Sequence, residues 1–538
     1  MKKTLSIILL ILLNTTFSLY AQDAQRTAAT KVGDALNQLP AANEALFSRL
    51  MEDLLSTGEE GVLMLAQRLK SDGTSLPQAE YALDGLVQYV TRSGVEESVR
   101  AEVAHHYAIA LEKTEDPLIK AFFIRQLQLL GSSESLSILA PYMFSKELAG
   151  PAIQAITAIG GPTAVNLLLS APLRAETITG LGQLGSPLAE KLLISLTKTG
   201  NEEQLPLAWQ ALSRCGTIAA FDVMEQGPQY DFLTYLERVA MDDIKKATRS
   251  LRSLVKPGNE SQVRCFALSL LLKLQQEKEM RTVLRALDDP DRSYRRTALE
   301  GVCTFLSPVV NSAVMKKMKH LSAPALTDVL NWLGEQRNPA LLPYMADPWL
   351  AHENLEVVEA SAHAILNTQG KQSPQILAGM LISPDPRKTD LALECLLASE
   401  GDVVQAVLDV YPHTSTAGKT TALALLGERK SRDNEPLVLE ALTDPVQEVR
   451  LAAARALTGV AHPDNRETYF RLLENSPKEL TQSLQQAILA SLSGHAAEEQ
   501  YDILMARMEK ADAGLKPLYY ALLAGTGTKR AVDFLSER

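Results

Sequence analysis

The chain contains five Asp-Pro pairs, several of them separated by close to a multiple of 30 residues, and this spacing restricts the fold more than any other feature of the sequence. Positions 289 and 347 are 58 residues apart, positions 385 and 444 are 59 apart, and positions 289 and 444 are 155 apart. Pro suits the first turn of a helix and Asp supplies a capping oxygen, so each pair predicts the end of one helix and the start of another. A period near 30 is typical of a repeat array. The pairs are Asp116-Pro117, Asp289-Pro290, Asp347-Pro348, Asp385-Pro386 and Asp444-Pro445.

The segments between these pairs have the apolar pattern of helices. Apolar residues recur at three- and four-residue spacing almost throughout, and we find no convincing run of alternating β-branched residues bounded by hairpin turns. Residues 439–460 form the clearest unit, in which a helix ends, the chain turns at Asp444-Pro445, and an Ala-rich helix follows. Residues 284–301 repeat this layout, with the same six-residue step from Asp to Arg. The chain is therefore predicted to be all-α.

These two units resemble HEAT repeats of the short bacterial kind, often called phycobilisome-lyase-like, which combine an Asp-Pro turn, a Val-Arg step and an Ala-rich helix. Asp444, Val449 and Arg450 match this pattern best. The resemblance covers residues 95–538, most strongly at 284–305 and 439–460. It implies an α-solenoid (superhelix) of stacked antiparallel helix pairs.

The resemblance also assigns a role to four polar residues. In HEAT repeats of this kind the Asp and the Arg form a polar ladder from one repeat to the next. Carried over to this sequence, that makes Asp289, Arg295, Asp444 and Arg450 structural residues. Their alternative role as a carboxylate–guanidinium ligand site stays open.

The predicted organisation has four parts. Residues 1–21 are a signal peptide, residues 22–94 an N-terminal helical cap with few marks of the repeat, residues 95–258 a first arm of HEAT-like repeats, and residues 259–538 a second arm. The boundary near residue 258 is placed where the repeat spacing changes, at Pro257-Gly258.

The first residues have the layout of an export signal. Lys2 and Lys3 precede an apolar run from Leu5 to Leu13, which is too short for a membrane span of about 20 residues. Cleavage is expected after Ala21, and the mature chain is expected to lie in the periplasm or outside the cell. No other uncharged stretch is long enough to predict a membrane span.

The charge balance excludes one large class of partner. The chain has 53 Lys and Arg against 64 Asp and Glu, a formal net charge of −11. Binding to a phosphate backbone depends on neutralising it with Lys and Arg, so we expect no nucleic-acid partner.

Residues that carry chemistry are few. The four cysteines lie in apolar helical stretches and show no paired spacing, so they are interpreted as small buried hydrophobic residues. Among HEAT-like proteins, the deoxyhypusine hydroxylase type holds two irons with His-Glu pairs from several repeats, whereas His352-Glu353 is the only such pair here. Adjacent His105 and His106 point about 100° apart on a helix and do not share one metal unaided. No catalytic residue, metal ligand or cofactor is predicted.

The predicted function is an exported scaffold, without catalysis of its own, that binds a protein partner on the curved surface of the repeats. The acidity favours a partner with basic patches. Two alternatives stay open. One is an accessory or glycan-binding component of secreted carbohydrate metabolism, suggested by resemblance to exported repeat proteins. The other is an enzyme with an unrecognised site, a lyase or a metal-dependent hydroxylase by analogy of fold alone.

Overall fold

The computed structural model describes residues 26–71, 76–131 and 133–537. The predicted signal peptide, residues 1–21, lies outside these ranges. The chain divides into two compact units, Met1–Leu270 and Leu271–Arg538. The domain boundaries drawn from the sequence stay predictions.

The described part of the first unit consists of helices joined by short turns. Its helices are α1 (Ala28–Gln38), α2 (Glu44–Leu55), α3 (Gly58–Ala66), α4 (Pro77–Val90), α5 (Glu97–Lys113), α6 (Pro117–Leu130), α7 (Ser135–Leu139), α8 (Ala149–Ile159), α9 (Gly161–Ser170), α10 (Ala175–Leu184), α11 (Glu190–Thr199), α12 (Gln204–Cys215), α13 (Phe221–Met224), α14 (Gln229–Val239) and α15 (Ile244–Leu254). Helix α16 (Ser261–Gln275) includes the point of division.

The second unit continues in the same way. Its helices are α17 (Met280–Ala286), α18 (Arg292–Val302), α19 (Pro308–Met318), α20 (Ala323–Glu335), α21 (Leu342–Met345), α22 (Leu355–Thr368), α23 (Ser373–Ala378), α24 (Pro386–Ala398), α25 (Val403–Val410), α26 (Thr416–Glu428), α27 (Glu435–Ala441), α28 (Gln447–Val460), α29 (Arg466–Asn475), α30 (Thr481–Leu492), α31 (Ala497–Lys510), α32 (Pro517–Gly525) and α33 (Lys529–Ser536). Short 3₁₀ turns connect several of them.

The helices form two rows, because alternate helices along the chain pack against each other. The even-numbered helices, α6 to α14 in the first unit and α18 to α32 in the second, are called the inner row, and each contacts its neighbour in the row. The helices between them form the outer row. Each helix pair thus buries its apolar face against the preceding and following pairs, as stacked repeats require. The described residues contain helices and no β-strand, and the predicted all-α solenoid of HEAT-like helix pairs is confirmed.

Glycine and alanine bring the inner helices into backbone contact. A Cβ added to Gly334 in α20 would lie 2.6 Å from the Cα of Ala364 in α22. A Cβ on Gly427 in α26 would lie 3.0 Å from the Cα of Ala456 in α28, and one on Gly182 would lie 2.7 Å from the Cα of Ala211. Helices that touch through their backbones are spaced more closely than helices separated by large side chains, so the inner row is closely spaced at these three crossings.

The Asp-Pro pairs mark turns, but they do not all begin helices in the predicted way. Asp116 and Asp385 cap α6 and α24, each followed by Pro in the first turn. The carboxylates of Asp289 and Asp444 also accept a hydrogen bond from the backbone N–H two residues on, at 3.0 and 2.9 Å, but the helix starts later, at Arg292 and Gln447. The bond across the Asp347-Pro348 pair is cis, and α22 starts only at Leu355.

Two of the four cysteines have the predicted buried position. Cys215 and Cys395 are buried, and burial raises the pKa of their thiols to about 11 and about 12. Cys265 is half-buried, whereas Cys303 is exposed, which corrects the expectation for that residue. Cys303 follows the last turn of α18, where its sulfur accepts a hydrogen bond from the indole N–H of Trp332 at 3.3 Å.

We expect the variant Gly334→Ala to destabilise the second unit. The new methyl group would overlap the backbone at Ala364, and overpacking of this kind costs about 1–3 kcal/mol. Urea unfolding followed by circular dichroism should show a lower midpoint. Gly379→Ala is the matched control, because no atom lies within 4 Å of its added Cβ. Equal midpoints for the two variants would contradict the proposed backbone contact.

Candidate functional site

Two adjoining clefts on the inner face of the second unit form the candidate site. They measure about 400 and about 160 Å³ and share the side chains of Arg292, Asp328 and Asn331. Both extend over α18, α20 and α22, so that three consecutive repeats line them. The remaining polar side chains along their walls are Arg295, Arg296, Glu300, Thr327, Glu335, Glu356, Glu359, His363 and Asn367.

A buried ion pair forms the base of the larger cleft. Arg295 of α18 donates to the Asp328 carboxylate of α20 through Nε at 2.8 Å and Nη2 at 2.6 Å, and both side chains are about 5% exposed. The exposed Arg292 donates from Nε to the other Asp328 oxygen at 3.2 Å. Removing charges from water is costly, so a pair of this kind persists only with well-placed hydrogen bonds on both sides. The pair joins two repeats and fixes the orientation of the cleft walls.

The same arginine also holds the turn that precedes its helix. Arg295 Nη1 donates to the backbone carbonyls of Asp289 and Pro290, at 2.9 and 3.1 Å. The Asp289 carboxylate accepts a hydrogen bond from the backbone N–H of Asp291 at 3.0 Å. Within this repeat, the predicted Asp and Arg are therefore connected through main-chain carbonyls.

The second predicted pair repeats this geometry. Arg450 Nη1 donates to the carbonyls of Asp444 and Pro445, at 2.9 and 3.0 Å. The Asp444 carboxylate accepts from Lys419 of the preceding inner helix at 2.9 Å. The hydrogen bond from the backbone N–H of Val446 and the nearby Lys419 ammonium lower the pKa of Asp444. Arg295 and Asp444 thus each contact an adjacent repeat, through Asp328 and Lys419, and the role of the four predicted residues as a ladder stays a prediction.

The histidines that the sequence singled out lie apart from this arrangement. His352 accepts a hydrogen bond from the backbone N–H of Asn354 through Nδ1 at 3.0 Å, and Glu353 is exposed. His105 is exposed, and partial burial of His106 lowers its pKa. Within residues 26–71, 76–131 and 133–537, no group of three His, Cys, Asp or Glu side chains could hold a metal ion.

A third cleft lies at the turns between the outer and inner helices. It measures about 680 Å³ and is mainly apolar, with Leu350, Ile376, Met380 and Ile382 among its lining residues. The Lys388 ammonium at its edge donates to the backbone carbonyl of His352 at 2.9 Å. The Lys388 ammonium therefore connects α24 to the turn that contains His352.

Apart from Arg295, the residues that build the inner clefts were missed by sequence reasoning. Asp328 had a detectable signal, because an Asp among the apolar residues of Ala-Leu-Thr-Asp-Val-Leu is a charge in a predicted core position. Asn331 and Glu359 carry no local signal. They come together only because equivalent positions of adjacent repeats lie side by side.

Comparison with known proteins gives one family match and several distant structural similarities. The HEAT repeat family model matches residues 436–462. The solved "Kap95:Nup1 complex" is similar at 13% identity, over 93% of this chain and 77% of that chain, with a TM-score of 0.39. Importin beta has 11% identity over 89% and 69% of the two chains, with a TM-score of 0.34. Kap121p has 13% identity over 91% of this chain and 56% of that one, with a TM-score of 0.33. No curated protein matches the chain.

The buried ion pair gives a stability test for the site. Asp328→Ala leaves Arg295 as an unpaired buried charge, and we expect it to lower the free energy of unfolding by about 3–5 kcal/mol. The double variant Arg295→Met/Asp328→Leu removes both charges and should recover much of that loss. Urea unfolding of both variants measures the difference. A double variant as unstable as Asp328→Ala would contradict the assignment.

Proposed function

We propose that the chain is a protein-interaction scaffold that binds an extended segment of a protein partner on the inner face of its second unit. One observation carries the proposal: the two adjoining clefts are lined by side chains from three consecutive inner helices, α18, α20 and α22. A surface that continues from repeat to repeat fits an extended ligand better than a compact one.

The chemistry of the lining residues supports a peptide. Exposed Arg292 and Asn331 offer hydrogen-bond donors, and Asn331, Glu356 and Glu359 offer acceptors. An extended backbone presents N–H and C=O groups that such side chains can pair with. The proposal includes no catalysis by this chain.

We also propose that the protein is an exported member of the short bacterial HEAT-repeat group, acting in the periplasm or outside the cell. The support is the order of Lys2, Lys3 and the apolar run from Leu5 to Leu13. No helix in the described part of the chain is long and apolar enough to cross a membrane.

Export predicts a new N-terminus. The full chain, expressed in a bacterial host and recovered from the periplasm or medium, should begin at Gln22 by N-terminal sequencing. Lys2→Glu/Lys3→Glu should slow processing, because the signal needs a positive first segment. A chain that retains Met1 and stays in the cytoplasm would refute the export proposal.

Site-specific crosslinking tests the binding face. A photo-reactive amino acid at Asn331 on the inner row is expected to crosslink a partner in cell-envelope extract. The same amino acid at Val309, which is 74% exposed on α19 of the outer row, serves as the control. Crosslinking of the same proteins at both positions, or at Val309 alone, would contradict the assignment to the inner face.

A further inference from the structure

The inner face of the second unit changes charge from one helix to the next. The exposed charged side chains on α18 are Arg292, Arg296 and Glu300, whereas those on α24 are Arg387, Asp390 and Glu394. Arg387 pairs with Asp385 at the start of its own helix, at 2.8 Å.

Equivalent positions show the change most clearly. The fifth residues of the inner helices form one line across this face, which runs from Arg296 of α18 to Thr327 of α20, Glu359 of α22, Asp390 of α24 and Thr420 of α26. The side chains are cationic, neutral, anionic, anionic and neutral in that order.

The ninth residues form a second line beside the first, and this line is not cationic at α18. It passes from Glu300 through Asn331 and His363 to Glu394, and ends at the uncharged Ala424. His363 Nε2 lies 3.9 Å from Glu394 Oε1, as expected for helices in this register. The order of charge therefore rests on the first line, to which Arg292 adds a second exposed cation one turn before Arg296.

The cationic side chains at one end are not fully neutralised by their neighbours. Arg296 is 56% exposed, and its pairing atom on Glu300 is 3.8 Å away. Arg292 is 67% exposed and reaches Asp328, whose charge Arg295 already balances. The α18 side of the cleft therefore favours an anionic group on a ligand, and the α22 and α24 side favours a cationic one.

The distance between these two sides determines how far apart the two charges on an extended ligand must be. Packed helices lie about 8–10 Å apart, so α18 is roughly 16–30 Å from α22 and α24. An extended chain advances about 3.3 Å per residue. The two sides are thus about five to nine residues apart along an extended ligand.

We propose that this face selects an extended peptide that carries an acidic side chain and, about five to nine residues away, a basic one. The inference rests on the proposed function and specifies its partner. The acidic residue lies against Arg292 and Arg296, and the basic residue lies against Glu359, Asp390 and Glu394. Thr327 and Asn331 contact the uncharged residues between them. Because these groups are exposed, they set specificity and salt dependence more than affinity.

A displayed library of random 12-residue peptides, selected on the full chain with the photo-reactive residue at Asn331, tests the proposal. Peptides that crosslink at position 331 should carry the acidic and basic residues at the stated separation.

The charge-exchanged variant Arg296→Glu/Glu359→Lys, which keeps the net charge, should bind the selected peptides about tenfold more weakly. The same peptides with their two charges exchanged should regain binding to that variant. Arg281→Glu/Glu440→Lys, on outer helices α17 and α27, is the matched control and should bind like the parent.

The outcomes separate this inference from the proposed function. Peptides that crosslink at position 331 but lack the charge pattern, or bind the charge-exchanged variant as well as the parent, would overturn the inference and leave the scaffold function in place. A selection whose binders never crosslink at position 331 would overturn both. Rescue by the exchanged peptides would establish the proposal.

Discussion

Close backbone contact between the inner helices is the constraint on which the rest of the structure depends. Where Gly334 meets Ala364 and Gly427 meets Ala456, the two helices are separated by less than the width of an ordinary side chain. This contact fixes the spacing of the repeats and brings their exposed positions into register. The clefts over α18, α20 and α22 and the line of charge across them exist because that register is maintained from helix to helix.

Polar contacts at the turns complement this packing. Arg295 and Arg450 hold their own turns through main-chain carbonyls, while Asp328 and Lys419 connect neighbouring repeats. Small apolar residues therefore set the distance between repeats, and charged residues near the turns set their relative orientation. The buried pair of Arg295 and Asp328 joins two repeats directly beneath the surface that we assign to the ligand.

The sequence predicts the helix pairs well because each repeat contains the residues that start and end its own helices. The spacing of the Asp-Pro pairs and the Ala-rich helix after Asp444 depend on local residues, and local rules are sufficient to interpret them. The exact helix starts after Asp289 and Asp444 were missed, since Asp291 and Val446, two residues further on, take the N-cap positions. The clefts could not be predicted in the same way, because Arg296, Asn331 and His363 are distant in sequence and become neighbours only after the repeats stack. Cys303 shows the same limit: its apolar surroundings in sequence predict burial, while its place at the end of α18 leaves it exposed.

The two-row packing also affects how the binding surface of such a chain can change through the gain, loss or exchange of repeats. Each inner helix contacts its immediate neighbours in the row, so the gain, loss or exchange of one whole repeat would leave the remaining interfaces chemically similar. The order of the charged residues would change at once, however, because it is defined across several repeats. Duplication of single repeats could therefore produce new recognition surfaces without inventing a new core, and the glycines at the helix crossings would be the residues that such rearrangements have to keep.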